Sequence, residues 1–263
     1  MRAGRTGLSR GHEDDAWGET VAVSVEPRTQ KPRQRGVTAV IDKGLGLRAL
    51  DDLIETAGHA IDLVKLGFGT SAALDGALLR RKLQRLAEAE MLVSPGGTLF
   101  EAAWATGHLP DFVARARELG FTALEISDGT VDLPPQDRRE AVERAREAGL
   151  VVLTEVGKKD PREQLPPHAI AERVLADLAL GVAFVTVEGR ESGRGVGIFD
   201  AEGDIVHRVL DDLVHALPDC TRILWEAPLP KQQAALILRF GPNVNLANVQ
   251  PGEVLALEAL RRG

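Results

Sequence analysis

The stretch Leu150–Asp160, LVVLTEVGKKD, decides the fold. Its apolar run Leu150–Leu153 is long enough for a buried strand and too short for an ordinary helix. Glu155, Lys158, Lys159 and Asp160 follow within a few residues, so an apolar segment delivers opposite charges to one end. An active site on a parallel β/α scaffold needs that arrangement: the strand fixes the charges, and the loop beyond it admits a substrate. A solvated loop after a strand would read the same in isolation. Recurrence along the chain separates the two readings.

Seven more apolar segments end in polar residues: Thr38–Asp42, Ile61–Leu66, Met91–Ser94, Ala123–Ser127, Phe184–Glu188, Ile223–Glu226 and Val244–Leu246. With Val151–Glu155 they make eight strand candidates. Helical patterns lie between them. Leu79, Leu83 and Leu86 stand at i, i+4 and i+7 with Arg80, Arg81 and Arg85 on the outer face. Pro134–Pro135 opens a helix that carries a Glu140–Arg144 pair and closes at Gly149. Further helices fit Leu47–Ala57, Leu99–Ala105, Pro110–Leu119, His168–Leu180, Ile205–Leu217, Gln232–Phe240 and Gly252–Arg262. Gly120, Gly149 and Gly181 sit where left-handed C-caps are expected. Eight alternating units predict a (β/α)₈ TIM barrel of the α/β class; an open doubly wound sheet is the alternative, and it would leave exposed edges.

The chain of 263 residues, 44% hydrophobic, suits one barrel of about 250 residues. Residues 36–263 are assigned to it. Residues 1–35 form an N-terminal extension, expected to be flexible, with strand-like alternation only at Val21–Val25 and a basic run at Arg28–Arg35 expected to be solvated. A net charge of −7 and the lack of aromatic interleaving in that run argue against nucleic-acid binding. No apolar run approaches about 18 residues and no secretory signal opens the chain, so a cytoplasmic protein away from the membrane is expected. Cys220 stands alone, which excludes an intrachain disulfide framework. A homo-oligomer is the expected assembly.

A barrel gathers Asp42, Lys43, Lys65, Ser127, Asp128, Glu155, Lys158, Glu188, Arg190, Glu226 and Asn245 at one rim. Any one carboxylate there could serve a structural salt bridge. As a set in an enclosed mouth they are costly without a ligand or metal to organise them. Carboxylate oxygens are also the ligands Mg²⁺ prefers. Glycine-rich turns KLGFGTS (Lys65–Ser71) and SPGGT (Ser94–Thr98, with Gly97) let backbone N–H groups approach an anion. Thr98 followed by Glu101 fits a capping box. EGRESGRGVG (Glu188–Gly197) adds Arg190 and Arg194, suited to phosphate or carboxylate. The six histidines share no metal-ligand spacing and read as surface residues, Cys220 reads as buried rather than nucleophilic, and neither a GxSxG elbow nor a Walker A sequence is present.

From about Gly36 to Gly263 the chain resembles the phosphosulfolactate synthase family. The resemblance rests on DKGLG at Asp42–Gly46, VKLGFGTS at Val64–Ser71, SPGGTLFE at Ser94–Glu101, LEISDG at Leu124–Gly129 and TEVGKKD at Thr154–Asp160. It continues in VEGRESGRGVGIFD at Val187–Asp200, WEAP at Trp225–Pro228, FGPNVNLANV at Phe240–Val249 and LEALRRG at Leu257–Gly263. It departs from the family near Phe68, where a bulkier aromatic is usual, and in LPKQQ after WEAP.

The resemblance implies a TIM-barrel lyase that adds sulfite to phosphoenolpyruvate with Mg²⁺, giving (2R)-2-O-phospho-3-sulfolactate, an early step toward sulfolactate and, in methanogens, coenzyme M. On that reading Glu155, Glu188 and Glu226 are the expected metal ligands. Lys158 is the expected general acid, with Lys159 the competing assignment and Glu155 beside them. Lys43, Lys65, Gly97, Ser127, Arg190, Arg194 and Asn245 are the expected substrate contacts. A Schiff-base aldolase using a rim lysine, or a non-catalytic relative that binds a phosphorylated small acid, are the alternatives.

Overall fold

A computed structural model describes residues 26–263, so the alternation at Val21–Val25 lies outside the described residues. Eight parallel strands form the central sheet: β1 (Thr38–Asp42), β2 (Leu63–Leu66), β3 (Leu92–Ser94), β4 (Ala123–Ile126), β5 (Val151–Val156), β6 (Phe184–Val187), β7 (Ile223–Glu226) and β8 (Leu246–Val249). Their order, β3-β2-β1-β8-β7-β6-β5-β4, brings the two ends of the sheet together. There Thr122 joins them: its N–H donates to the Val93 carbonyl at 3.2 Å, and its hydroxyl accepts from the Val93 N–H at 2.8 Å. The (β/α)₈ barrel is the fold; sheet edges that an open arrangement would expose are spent on each other.

The outer layer follows the apolar periodicity. Helices α1 (Leu47–Ala57), α2 (Gly76–Glu88), α3 (Gly97–Ala105), α4 (Leu109–Leu119) and α5 (Pro135–Glu147) pack around one half. Helices α6 (Pro167–Ala179), α7 (His207–Ala216), α8 (Pro230–Phe240) and α9 (Val254–Arg262) cover the other. Leu79, Leu83 and Leu86 are buried on α2, whose N-cap Asp75 accepts from the N–H groups of Ala77 and Leu78. Gly120, Gly149 and Gly181 take positive φ at helix ends, where a Cβ would be strained. Among the described residues no helix is long and apolar enough to cross a membrane.

Two-residue alternation along the strands sets the barrel interior. Ala39, Leu63, Ala123, Leu153, Phe184, Leu224 and Ala247 form an apolar plug. Two residues further on, the same inward face carries Lys65, Glu125, Glu155 and Glu226. The plug thus forms the floor beneath a charged layer at the C-terminal mouth.

Two expectations need correction here. Strand β8 is Leu246–Val249 rather than Val244–Leu246, so Asn245 enters the strand at the end opposite the mouth. The basic run Arg28–Arg35 is not solvated at two of its arginines. Arg28 pairs with Glu258 at 3.0 Å and Arg33 with Asp62 at 3.1 Å, all four side chains nearly buried against the barrel floor.

Candidate active site

Burying a carboxylate is costly without a counter-charge, yet the mouth buries four: Glu125, Glu155, Glu188 and Glu226. Lys65 stands among three of them, with Nζ at 2.9 Å from Glu226, 3.4 Å from Glu125 and 3.5 Å from Glu155. Lys159 closes the other side, 2.8 Å from Glu155 Oε1 and 3.2 Å from Glu188 Oε2. Backbone amides aim the remaining oxygens. Gly97 N donates to Glu125 Oε2, Gly189 N to Glu226 Oε2, and Arg190 N to Glu188 Oε1. The cavity they surround measures ≈ 60 Å³, and Phe68, Gly96, Thr98 and Asn248 help to complete its wall.

The four buried carboxylates face two ammonium groups, an excess of two negative charges if all are ionised, while Glu191 at the cavity's edge is paired with Lys43. The titration behaviour follows from that excess. Burial pushes Glu125 up to about 7, with Lys65 opposing and Glu155 and Glu226 adding to the rise. Burial and the neighbouring Glu155 and Glu226 charges hold Glu188 well above the usual carboxylate range. Burial also works against ionised Glu155, but Lys159 and Lys65 outweigh it and hold that carboxyl below its ordinary range. For Lys65 and Lys159 burial is likewise outweighed, by the glutamates around them, and both ammonium groups are held above their ordinary value. The mouth therefore contains two firmly charged cations and a surplus of acid.

Glu155, Glu188 and Glu226 each offer one oxygen within 4.8 Å of the others, a donor set able to hold a metal ion. Glu188 Oε2 is buried and makes no well-aligned hydrogen bond, its only partner among the described residues being the Lys159 ammonium at 3.2 Å. A divalent cation would cancel the two-charge surplus. By donor chemistry and charge the trio suits a hard divalent cation such as Mg²⁺.

The other expected site residues divide sharply. Gly97 lines the cavity, but its N–H is committed to Glu125; its missing Cβ matters because one would stand 2.4 Å from Ser127 Oγ. Ser127 is buried beneath it and donates to Glu101, so it does not reach the cavity. Lys43 lies at the outer rim, paired with Glu191 at 2.7 Å. Arg190 is half-buried with φ 59°, and among the described residues no carboxylate lies within ion-pair distance of its guanidinium. Arg194 is exposed on the same loop. Lys158 points away from the cavity: its Nζ donates to the carbonyls of Asp128 at 2.9 Å and Val131 at 2.6 Å and to Asp132 Oδ1 at 3.0 Å. Asn245 is absent from the mouth altogether. It bonds Val37 N, Thr221 O and Ile223 O at the barrel floor.

Sequence reasoning missed three residues. Glu125 shares the inward parity of Leu153–Glu155 on the neighbouring strand, a signal visible in ALEI had register been applied. Asn248 is buried with φ 57°, its Oδ1 unpartnered at the cavity wall; the two-residue misplacement of β8 hid it. Glu101 does not cap α3, whose N-cap is Gly96; it accepts hydrogen bonds from the loop after β4 instead.

With this geometry in place, relatives give the family. The family model for (2R)-phospho-3-sulfolactate synthase (ComA) matches residues 26–263. The chain belongs to the phosphosulfolactate synthase family. Phosphosulfolactate synthase of Methanocaldococcus jannaschii is 44% identical over 232 residues, covering 88% of this chain and 92% of the relative. That of Bacillus subtilis is 35% identical over 238 residues, covering 90% and 93%. By shape, 3-hexulose-6-phosphate synthase from Salmonella typhimurium matches 86% of this chain and 98% of its own, with TM-score 0.54 and 14% identity. That similarity speaks to the barrel alone. The segments SPGGTLFE, LEISDG and TEVGKKD, on which the resemblance rests, carry Gly97, Glu125, Glu155 and Lys159, all of which line the cavity.

Proposed function

We propose that the chain is a Mg²⁺-dependent phosphosulfolactate synthase, a lyase that forms a carbon–sulfur bond between sulfite and phosphoenolpyruvate. The observation that carries this reading is the buried trio Glu155, Glu188 and Glu226 with Lys159 bridging two of its members. Those three carboxylates would hold the metal, which when bound supplies stabilisation for negative charge on the substrate carboxylate.

In the reaction the sulfur lone pair of sulfite forms a bond to C3 of phosphoenolpyruvate. The C2–C3 π pair moves toward the C1 carboxylate, and C2 then takes a proton; the phosphate ester stays intact. Lys65 and Lys159 present fixed positive charge to the carboxylate as that charge develops, an effect strengthened by burial. Lys159 Nζ is the proton donor at C2 and is recharged from solvent. It has this role rather than Lys158 because it lines the cavity and is protonated, whereas Lys158 is consumed by two loop carbonyls. Arg190, Arg194 and Lys43, on loops outside the cavity lining, would supply the cations for phosphate and sulfite. Asn248, whose Oδ1 has no protein partner, presents its carboxamide to the substrate at the cavity wall.

A Schiff-base mechanism needs a neutral amine, whereas Lys65 and Lys159 are each ion-paired with buried glutamates. Incubation with phosphoenolpyruvate, sulfite and Mg²⁺ should give a product of the summed mass, and chelation of the metal should stop its formation. No product under those conditions overturns the proposal.

A further inference from the structure

Glu101, on α3, is 2% exposed and has no ion-pair partner among the described residues. Its carboxylate accepts four hydrogen bonds from one short loop: from the Ser127 hydroxyl, Gly129 N at 2.9 Å, Thr130 N at 3.1 Å and the Thr130 hydroxyl. Lys158 grips the same loop from its other side through the carbonyls of Asp128 and Val131. Between the two clamps, the Gly129 carbonyl accepts from Lys159 N at 3.0 Å. The Lys159 side chain then passes directly over Gly129. A Cβ added there would stand 2.8 Å from Lys159 Nζ, 3.1 Å from Cγ and 3.2 Å from Cδ. The φ of Gly129 lies outside the left-handed region, so its backbone does not require glycine. The space does.

We propose that Gly129, fixed in place by Glu101, is a positioning residue: the slot left by its missing side chain sets where the Lys159 ammonium meets Glu155 and Glu188. The catalytic consequence rests on the reading of Lys159 as proton donor. Ordinary heavy-atom contacts begin near about 3.5 Å, so a methyl at Gly129 displaces the ammonium by roughly 1 Å, and a misplacement of that size costs up to about 100-fold in rate.

The test is Gly129→Ala in a double-mutant cycle with Lys159→Ala. Gly129→Ala should lower kcat by about 10- to 100-fold while leaving KM for phosphoenolpyruvate within about twofold. Its Tm should stay close to that of the parent, because the atoms that must move belong to the Lys159 side chain and not to backbone. In the Lys159→Ala background the same change should have no further effect on kcat. Acetic anhydride should modify Lys159 faster in Gly129→Ala, read by peptide mass, because the ammonium has left its glutamates. If alanine prevents folding, Glu101→Gln enters the same cycle with the same expectations. An unchanged kcat and an unchanged Lys159 modification rate in the folded variant overturn the proposal. So does an equal loss in both backgrounds, which marks Gly129 as merely structural. If the parent protein does not turn over phosphoenolpyruvate and sulfite, the substrate reading fails, and the modification rate alone decides the positioning.

Discussion

Lys158 and Lys159 are neighbours in sequence, and replacing each with alanine should produce opposite phenotypes. Lys159→Ala removes the ammonium that spans Glu155 and Glu188 and, on the proposed mechanism, the proton donor. Positioned general acids contribute about 10²- to 10⁴-fold, equal to roughly 3–5 kcal/mol of barrier. kcat should fall by that factor. The Lys159 side chain is 31% exposed, so its loss leaves no large void and the fold should persist. Lys158→Ala instead strands two loop carbonyls, Asp128 O and Val131 O, each worth about 1–3 kcal/mol when left unpaired and dry. Its link to Asp132 adds little, since that carboxylate is fully exposed. Tm should drop by at least about 4 °C, on the scale of about 2–4 °C per kcal/mol for a chain of this size. Turnover should survive within about tenfold, because Glu101 still holds Gly129. Steady-state kinetics beside thermal melts of both variants give the answer. Near-parental kcat in Lys159→Ala, or loss of all activity in a folded Lys158→Ala, refutes the assignment.

Asn248→Gly relieves the positive φ and removes an unpartnered buried amide, so stability should be preserved or rise; KM for phosphoenolpyruvate should rise about tenfold, and an unchanged KM removes Asn248 from the site. Asn245→Ala should do the reverse: it breaks three hydrogen bonds at the barrel floor, lowering Tm with kcat and KM nearly intact, which kinetics on the purified variant will check. Glu258 titrates below its ordinary 4.5 because burial is outweighed by its bonds to Arg28 and Arg262. A depressed carboxylate contributes stability above that value that is lost as pH falls through the folded pKa. Glu258→Gln should therefore flatten the fall in Tm between about pH 5 and 3, and an equally steep fall would assign the acid sensitivity to other groups.

The fold was legible because it rests on local signals. Apolar runs of strand length alternate with helical periodicity, and seven of the eight strands begin and end within about two residues of where the sequence puts them. Glu155 and Glu226 were legible for the same reason, since they sit at the polar ends of those runs, and Glu188 lies one residue beyond β6. The choice between Lys158 and Lys159 was not. Past Val156 the chain leaves the sheet, Gly157 takes φ 128°, and strand parity no longer says which side chain turns inward. The answer comes from the loop after β4, whose carbonyls take Lys158 and whose glycine makes room for Lys159. Glu101 was misread because a cap is a local pattern, and its three partner residues lie 26 or more residues away. Lys82 was likewise unforeseen: it is buried on α2, donating to Leu45 O and pairing with Asp42 beneath the first loop. Glu101 and Lys82 each reach from a helix to residues distant in sequence that only the folded barrel brings near.

The central claim is that this mouth joins sulfite to C3 and delivers a proton to C2. Turnover of phosphoenolpyruvate and sulfite with Mg²⁺ in deuterium oxide tests it most directly, with product read by mass and phosphorus and carbon resonance. The account predicts a phosphate ester retained in full, a new carbon–sulfur bond, and one non-exchanging deuterium at C2 in a single configuration. Released phosphate, or a product without the carbon–sulfur bond, would contradict it.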